Sequence, residues 1–220
     1  VSILLDKGYD IHGNHMEHEP EINGVKQILQ PLHIALLLEA TEVVHLLLHK
    51  GADPNAMYVR DDGEGSTDKD SCLTLAPNLE ILSLLLKNGA DPNLGDENGK
   101  TAVHHEVWND KLEHLRAVLE NGGDPNKLEK TGESTVCRAV SSDSPEHLRL
   151  LLEKGGDPNK DDEVGDALLF GAAMMGKTEM VRILLEFGAD PNKGKDGTMS
   201  AIMGAAINGH AEIIRLLVKG

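Results

Sequence analysis

Apolar residues recur along this chain at two spacings, one helical and one much longer. The pentapeptide Gly-Ala/Gly-Asp-Pro-Asn starts at Gly51, Gly89, Gly122, Gly155 and Gly188, at intervals of 38, 33, 33 and 33 residues. Seven positions before each glycine, with Gly8 counted as first of the series, stand Val1, Val44, Leu82, Leu115, Leu148 and Val181, and continuing the period adds Ile214. Four and three positions before the glycine the residues are again aliphatic, from Leu4 and Leu5 through to Leu217 and Val218. An apolar residue followed three and four positions later by two more forms a stripe down one side of a helix. The pattern predicts a helix with one buried face ahead of every glycine.

Each glycine suits a left-handed helix C-cap, and the proline three residues later keeps the helix from resuming. Twelve residues beyond the glycine a shorter apolar segment opens, at Thr101, Ser134, Ala167 and Ser200, with Gln30 opening a similar segment out of period. Thr101 and Ser134 are predicted N-caps. Each unit is thus a turn, a short helix, a short loop and a longer helix. Neither helix can bury its stripe alone, so the units must stack.

These residues resemble the ankyrin repeat family, whose repeat begins Thr-Pro-Leu-His and ends Gly-Ala-Asp-Val-Asn. Gln30, Pro31, Leu32 and His33 carry the first motif, and Gly209, His210, Ala211 and Glu212 match the start of the second helix. The resemblance implies an all-α fold, an ankyrin-repeat α-solenoid of helix-turn-helix units joined by β-hairpin loops. It would form a single domain over residues 1–220, with a partial repeat at 1–8 and helix pairs near 30–50, 71–88, 101–121, 134–154, 167–187 and 200–219. Two features depart from the family pattern. Proline replaces valine in every terminal motif, and the histidine of the start motif becomes Cys137, Phe170 or Met203 in later units, where its hydrogen bond to the repeat start is lost.

The period breaks twice. The interval from Gly8 to Gly51 is ten residues too long and that from Gly51 to Gly89 five too long, which places insertion loops at 9–29 and 56–70. The stretch from Ser71 to Ala76 reads as a short, irregular first helix that ends near Pro77. The first insertion holds His12, His15 and His18 with Glu17, Glu19 and Glu21 nearby, donor types that a zinc ion takes. Gly13 and Asn14 argue against the fixed geometry such a site needs, so no metal is assigned. His45 and His49, four apart on a helix, lack a third ligand and read as surface residues.

Composition narrows the function. The chain has 21 Lys and Arg against 37 Asp and Glu, a formal charge of −16, which repels a phosphate backbone and an anionic bilayer surface. Nucleic acid and direct membrane contact are therefore excluded as expected partners. Aromatic residues are only 2% of the chain, too few for base stacking, so the core must be aliphatic. Two cysteines far apart in sequence, Cys72 and Cys137, suit a reducing interior, cytoplasmic or nuclear. The chain starts at Val1 and ends within a helical pattern, which reads as a monomeric segment of a longer protein. A column of Glu42, Glu80, Glu113, Glu146, Glu179 and Glu212 is followed three residues on by Arg116, Arg149, Arg182 and Arg215, predicting intrahelical pairs on a solvated face.

No nucleophile elbow, phosphate loop or dinucleotide fingerprint is present, and Gly176, Lys177 and Thr178 lack the upstream glycine of a phosphate loop. Neither catalysis nor a cofactor is expected, and Cys137 reads as a small buried apolar residue. What remains is recognition. By the resemblance, a protein partner lies on the concave surface made by the ends of the first helices and the hairpin tips. The helix ends carry over to Leu37, Leu38, Trp108, Asn109, Ser141, Ser142, Met174, Met175, Ile207 and Asn208, and the tips to Glu97, Asn98, Lys100, Lys130, Glu133 and Asp166. Trp108 is the sole tryptophan, and tryptophan and methionine are common interface anchors. A second expectation of another class is that the segment targets or regulates an enzyme whose catalytic domain lies outside it.

Overall fold

In a computed structural model that describes residues 21–22, 25–28, 30–61, 67–160, 168–193 and 199–219, the period folds into helices of two lengths. In chain order these are α1 (Pro31–Leu37), α2 (Thr41–His49), α3 (Leu79–Lys87), α4 (Ala102–Trp108), α5 (Leu112–Glu120), α6 (Thr135–Ser141), α7 (Pro145–Glu153), α8 (Leu168–Met174), α9 (Thr178–Glu186), α10 (Ala201–Ile207) and α11 (Ala211–Lys219). Opening helices have seven residues and second helices nine. Two turns of helix cannot stand alone in water, so packing of the apolar stripes holds them. In the stripe column Val44, Leu82, Leu115, Leu148 and Val181 are fully covered, whereas Ile214 in the last helix is only half-buried.

The ends of the helices follow from the punctuation. Ser134 Oγ accepts the Cys137 N–H at 3.1 Å, and Asn78 Oδ1 accepts the Ile81 N–H at 3.0 Å, each satisfying an amide that the first turn leaves unpaired. At the other end Gly155 has φ +93°, and a Cβ added there would meet nothing within 4 Å. The backbone angle, not crowding, demands glycine at that position.

The asparagine closing each pentapeptide has a role that the periodicity did not reveal. Asn126 Nδ2 donates to Gly155 O at 2.8 Å while its Oδ1 accepts the Asp157 N–H at 2.8 Å, and Asn159 repeats the pattern toward Gly188 and Asp190. Asn55 does the same toward Gly89 and Asp91. One amide side chain therefore straps each turn to the next by a donor and an acceptor. The aspartate two residues before each asparagine fixes the turn itself, as when Asp157 Oδ1 accepts the Asn159 N–H at 2.8 Å.

The described residues gather into two compact units. The first runs to His105 and includes Glu120–Gly123; the second comprises Glu106–Leu119 and the residues from Asp124 on. In the first unit the core is built from Leu32, Leu36, Leu47, Leu73, Ile81 and Leu85. The two insertions, read from sequence as loops, contain strands: β1 (Glu21–Ile22), β2 (Val25–Ile28), β3 (Met57–Asp61) and β4 (Thr67–Ser71) form one antiparallel sheet in that order. Ile28 pairs with Val59 and Lys26 with Asp61, so segments from the two insertions satisfy each other's backbone groups. The stretch after β4 is a single turn rather than a helix: Leu75 N–H bonds Ser71 O at 3.1 Å, and Pro77 and the Asn78 cap follow at once. In the second unit the core is Leu115, Val140, Leu148, Leu151, Leu169 and Met180. Residues 1–8 and His12, His15 and His18 lie outside the described residues.

His33 ties the start of α1 to the turn before β3. Its Nδ1 accepts the Gln30 N–H at 3.1 Å and its Nε2–H donates to Ala56 O at 3.2 Å, so the neutral ring is satisfied at both nitrogens. Burial holds its pKa below the usual 6.5, with the Ala56 carbonyl opposing part of that shift. The sign follows: a depressed folded pKa gives stability that is present above 6.5 and lost as pH falls through the folded value. We expect unfolding free energy to decline below that point, less steeply in His33→Gln. Urea titrations across the acid range, with the imidazole resonance followed by NMR, check this; a His33 midpoint above 6.5 contradicts it.

Candidate partner-binding surface

The last residues of the opening helices in the second unit form a register column. Trp108, Ser141, Met174 and Ile207 follow one another at 33-residue intervals, as do their neighbours Asn109, Ser142, Met175 and Asn208. Trp108, Ser141 and Met174 each follow a buried residue, Val107, Val140 and Ala173 in turn, a rotation of about 100° from the buried side. All eight are exposed. Met175 is 50% and Ile207 67% exposed, more than a packed aliphatic position allows. Leu37 and Leu38, at the end of α1 in the first unit, are exposed as well.

Groups from the following repeat hold the backbone of this row in place. Lys177 Nζ donates to Val140 O at 2.8 Å and to Ser141 O at 2.7 Å, capping carbonyls that the end of α6 leaves open. His210 Nε2 lies 3.2 Å from Met174 O in the same relation. Lys177, set aside as a phosphate-loop residue, is thus a strut between repeats. Gly204 packs against Phe170, where a Cβ would come within 3.1 Å of Cε2. Trp108 is partly covered by Arg138, whose guanidinium carbon stands 5.2 Å from the ring centroid.

Charge is distributed unevenly across the repeats. The second helices of this unit carry Glu113, Glu146, Glu179 and Glu212 in their first turns, while α6, α8 and α10 contain no carboxylate and α4 contains only the buried Glu106. Asp110 and Asp143 follow α4 and α6 in the adjoining loops, with Asp110 Oδ1 3.5 Å from His147 Nδ1. The expected Glu–Arg pairs form at Arg116, Arg182 and Arg215. Arg149 departs from the expectation. It reaches Glu186 of the following repeat with two bonds of 2.9 and 3.0 Å, a bidentate geometry where Arg182 and Arg215 each make one bond to a glutamate of their own helix. That pairing raises the arginine pKa and lowers the glutamate's.

The hairpin-tip candidates fall in different units. Glu97, Asn98 and Lys100 belong to the first, where the Glu97 carboxylate accepts the Lys69 N–H and Asp96 Oδ1 accepts the Asn98 and Lys100 N–H groups at 2.8 Å. Lys130 belongs to the second and is exposed, beside an exposed Leu128 that sequence reasoning passed over. Glu133 is half-buried in the same turn, and Asp166 lies outside the described residues.

Other chemistry is thin. No group of three or more metal-ligating side chains comes together among the described residues, where His45 and His49 are exposed. Cys72 and Cys137 form no disulfide with each other and are both buried. Burial first, then the nearby Asp53 charge, pushes the Cys72 thiol up to about 12, so it carries no thiolate at neutral pH. No helix among the described residues is long and apolar enough to cross a membrane.

Comparison with known proteins agrees with the geometry. A family model described as ankyrin repeats in three copies matches residues 71–162 and 136–220, and one described as a single ankyrin repeat matches 30–58. The ankyrin repeat domain of Bcl-3, described as a unique member of the IkappaB protein family, is similar in structure with a TM-score of 0.74 and 27% identity, over 87% of this chain and 86% of that one. No curated protein matches the sequence. The helix pairs, the turns between them and these matches together establish that the chain belongs to the ankyrin repeat family, an all-α fold of the solenoid class.

Proposed function

We propose that this chain binds a protein partner through the row at the ends of its opening helices, without catalysing a reaction. Ankyrin repeats serve generally as protein–protein interaction modules, which gives the coarse function. The observation that carries the finer reading is the exposure of Met174, Met175 and Ile207 alongside Trp108 in two adjacent register columns. Adaptable methionines beside a large ring are typical of interface centres, where a few anchors carry most of the binding energy. Lys130 and Leu128 extend the surface from the adjoining turn.

The test is paired capture from a cell extract with the unaltered chain and with Met175→Asp/Ile207→Asp, identified by mass spectrometry. Both sites are exposed, so the melting temperature should stay the same. Proteins held by the unaltered chain should be lost from the variant. Recovery of the same set by both would place the partner elsewhere.

A further inference from the structure

We infer that Arg138, Trp108 and Gly171 form a carboxylate-accepting notch for an acidic residue of a partner peptide, with an adjoining apolar residue of that peptide resting on Met174 and Met175. The inference rests on the binding row proposed above and adds to it the chemistry of the ligand.

The first observation is an arginine without a counterion among the described residues. Where their side chains are described, the other arginines each face a glutamate: Arg116 with Glu113 at 3.9 Å, Arg149 with Glu186 at 2.9 Å, Arg182 with Glu179 at 3.3 Å and Arg215 with Glu212 at 3.0 Å. Among the described residues Arg138 forms no ion pair, in a chain where 37 acidic residues face 21 basic ones. The helices on either side of α6 in the stack, α4 and α8, expose no carboxylate to it. Its contact is with the Trp108 ring, 5.2 Å away. A guanidinium lying on a ring gives up its face and keeps its N–H edge, which matches a carboxylate in bidentate fashion. The ring, although exposed, also displaces water from one side of the guanidinium and strengthens that bond.

The second observation is a glycine that the fold does not require. Gly171 holds on α8 the register position that Arg138 holds on α6 and Gly204 on α10. Gly204 is forced, since a Cβ there would meet Phe170 at 3.1 Å, whereas at Gly171 a Cβ would meet nothing within 4 Å. Glycine is a poor residue for the middle of a helix, and Gly171 has no positive φ to justify it. Its effect is an open floor beside Arg138. Met174, one helical turn along α8, forms the far edge, and such an opening admits a peptide backbone close to the helix.

The carboxylate can belong to an aspartate or glutamate side chain or to a peptide C-terminus, and the experiment separates these. Randomised peptides are selected against the chain of 220 residues, and binders are remade in labelled form for anisotropy titration. Each is also made with Glu→Gln or Asp→Asn, and with an amidated C-terminus. Peptides carrying an acid beside a Leu, Met or Phe are expected. Neutralising that acid should weaken binding about tenfold to the unaltered chain and less than about twofold to Arg138→Gln, the size of a lost charge-assisted bond. Weakening by amidation alone assigns the terminal carboxylate as the source. Arg138→Lys should restore part of the loss, and Gly171→Leu should abolish binding while leaving the melting temperature the same or higher. If peptides bind the row, as judged by loss with Met175→Asp/Ile207→Asp, yet Arg138→Gln costs nothing, the notch is refuted and the row stands. If no peptide binds the row, both fall.

Discussion

Leu115→Ala is expected to destabilise the chain by about 2–5 kcal/mol, the range for removing a fully buried leucine where the surroundings cannot collapse into the space. Leu115 lies on α5 with no exposed surface, in the column that Val44, Leu82, Leu148 and Val181 share. Stacked repeats stabilise one another through their interfaces, so a cavity in one weakens its neighbours first. Chemical denaturation should show a lowered midpoint, and hydrogen exchange should show the largest loss of protection in α5. A change at Glu113, exposed on the same helix, should stay within about 0.5 kcal/mol, the usual range for surface positions. A Leu115→Ala loss as small as that would mean the column is not a core column.

Trp108→Ala is expected to have the opposite profile. The ring is 39% exposed and its back is against the repeat, so removing it forfeits the cation–π contact with Arg138 and part of a packing surface, about 1–2 kcal/mol of stability. Partner affinity should fall by about 2–4 kcal/mol, as at interface hot spots. Once the partner is in hand, melting temperature and binding isotherm are measured on the same preparation. Stability that collapses as far as in Leu115→Ala would make the ring a core element. Affinity left intact would move the partner off this row.

How far these features are written in the sequence depends on the range of the interaction that makes them. The stripe, the Gly155 cap and the Ser134 cap each involve residues within seven positions, and all are legible from spacing alone. The exposed ends of the opening helices follow from the same register, because one step past a buried residue turns the side chain outward. What escaped is what crosses from one repeat to another. The strand from Val25 to Ile28 meets Met57–Asp61 only because two insertions come side by side, a fact their own composition does not carry. Arg149 has a glutamate three residues before it and still chooses Glu186, since the longer reach gives two bonds in place of one. Arg138 over Trp108, thirty residues apart, is of the same kind. The asparagine strap could have been found: five identical residues at one register position, each beside a proline that already stops the helix, call for a second reason.

That strap also determines how such a protein responds to being pulled. Asn126 and Asn159 each link one turn to the next by two hydrogen bonds and to nothing further along, so tension applied along the chain meets the straps one after another. Releasing one frees a single 33-residue unit, roughly 110–120 Å of extended chain, before the next strap takes up the load. Within the second unit, where the interval is 33 residues throughout, the chain therefore lengthens in steps of equal size. A tether built this way dissipates a sudden stretch gradually, and it can recover one step at a time when the force is removed.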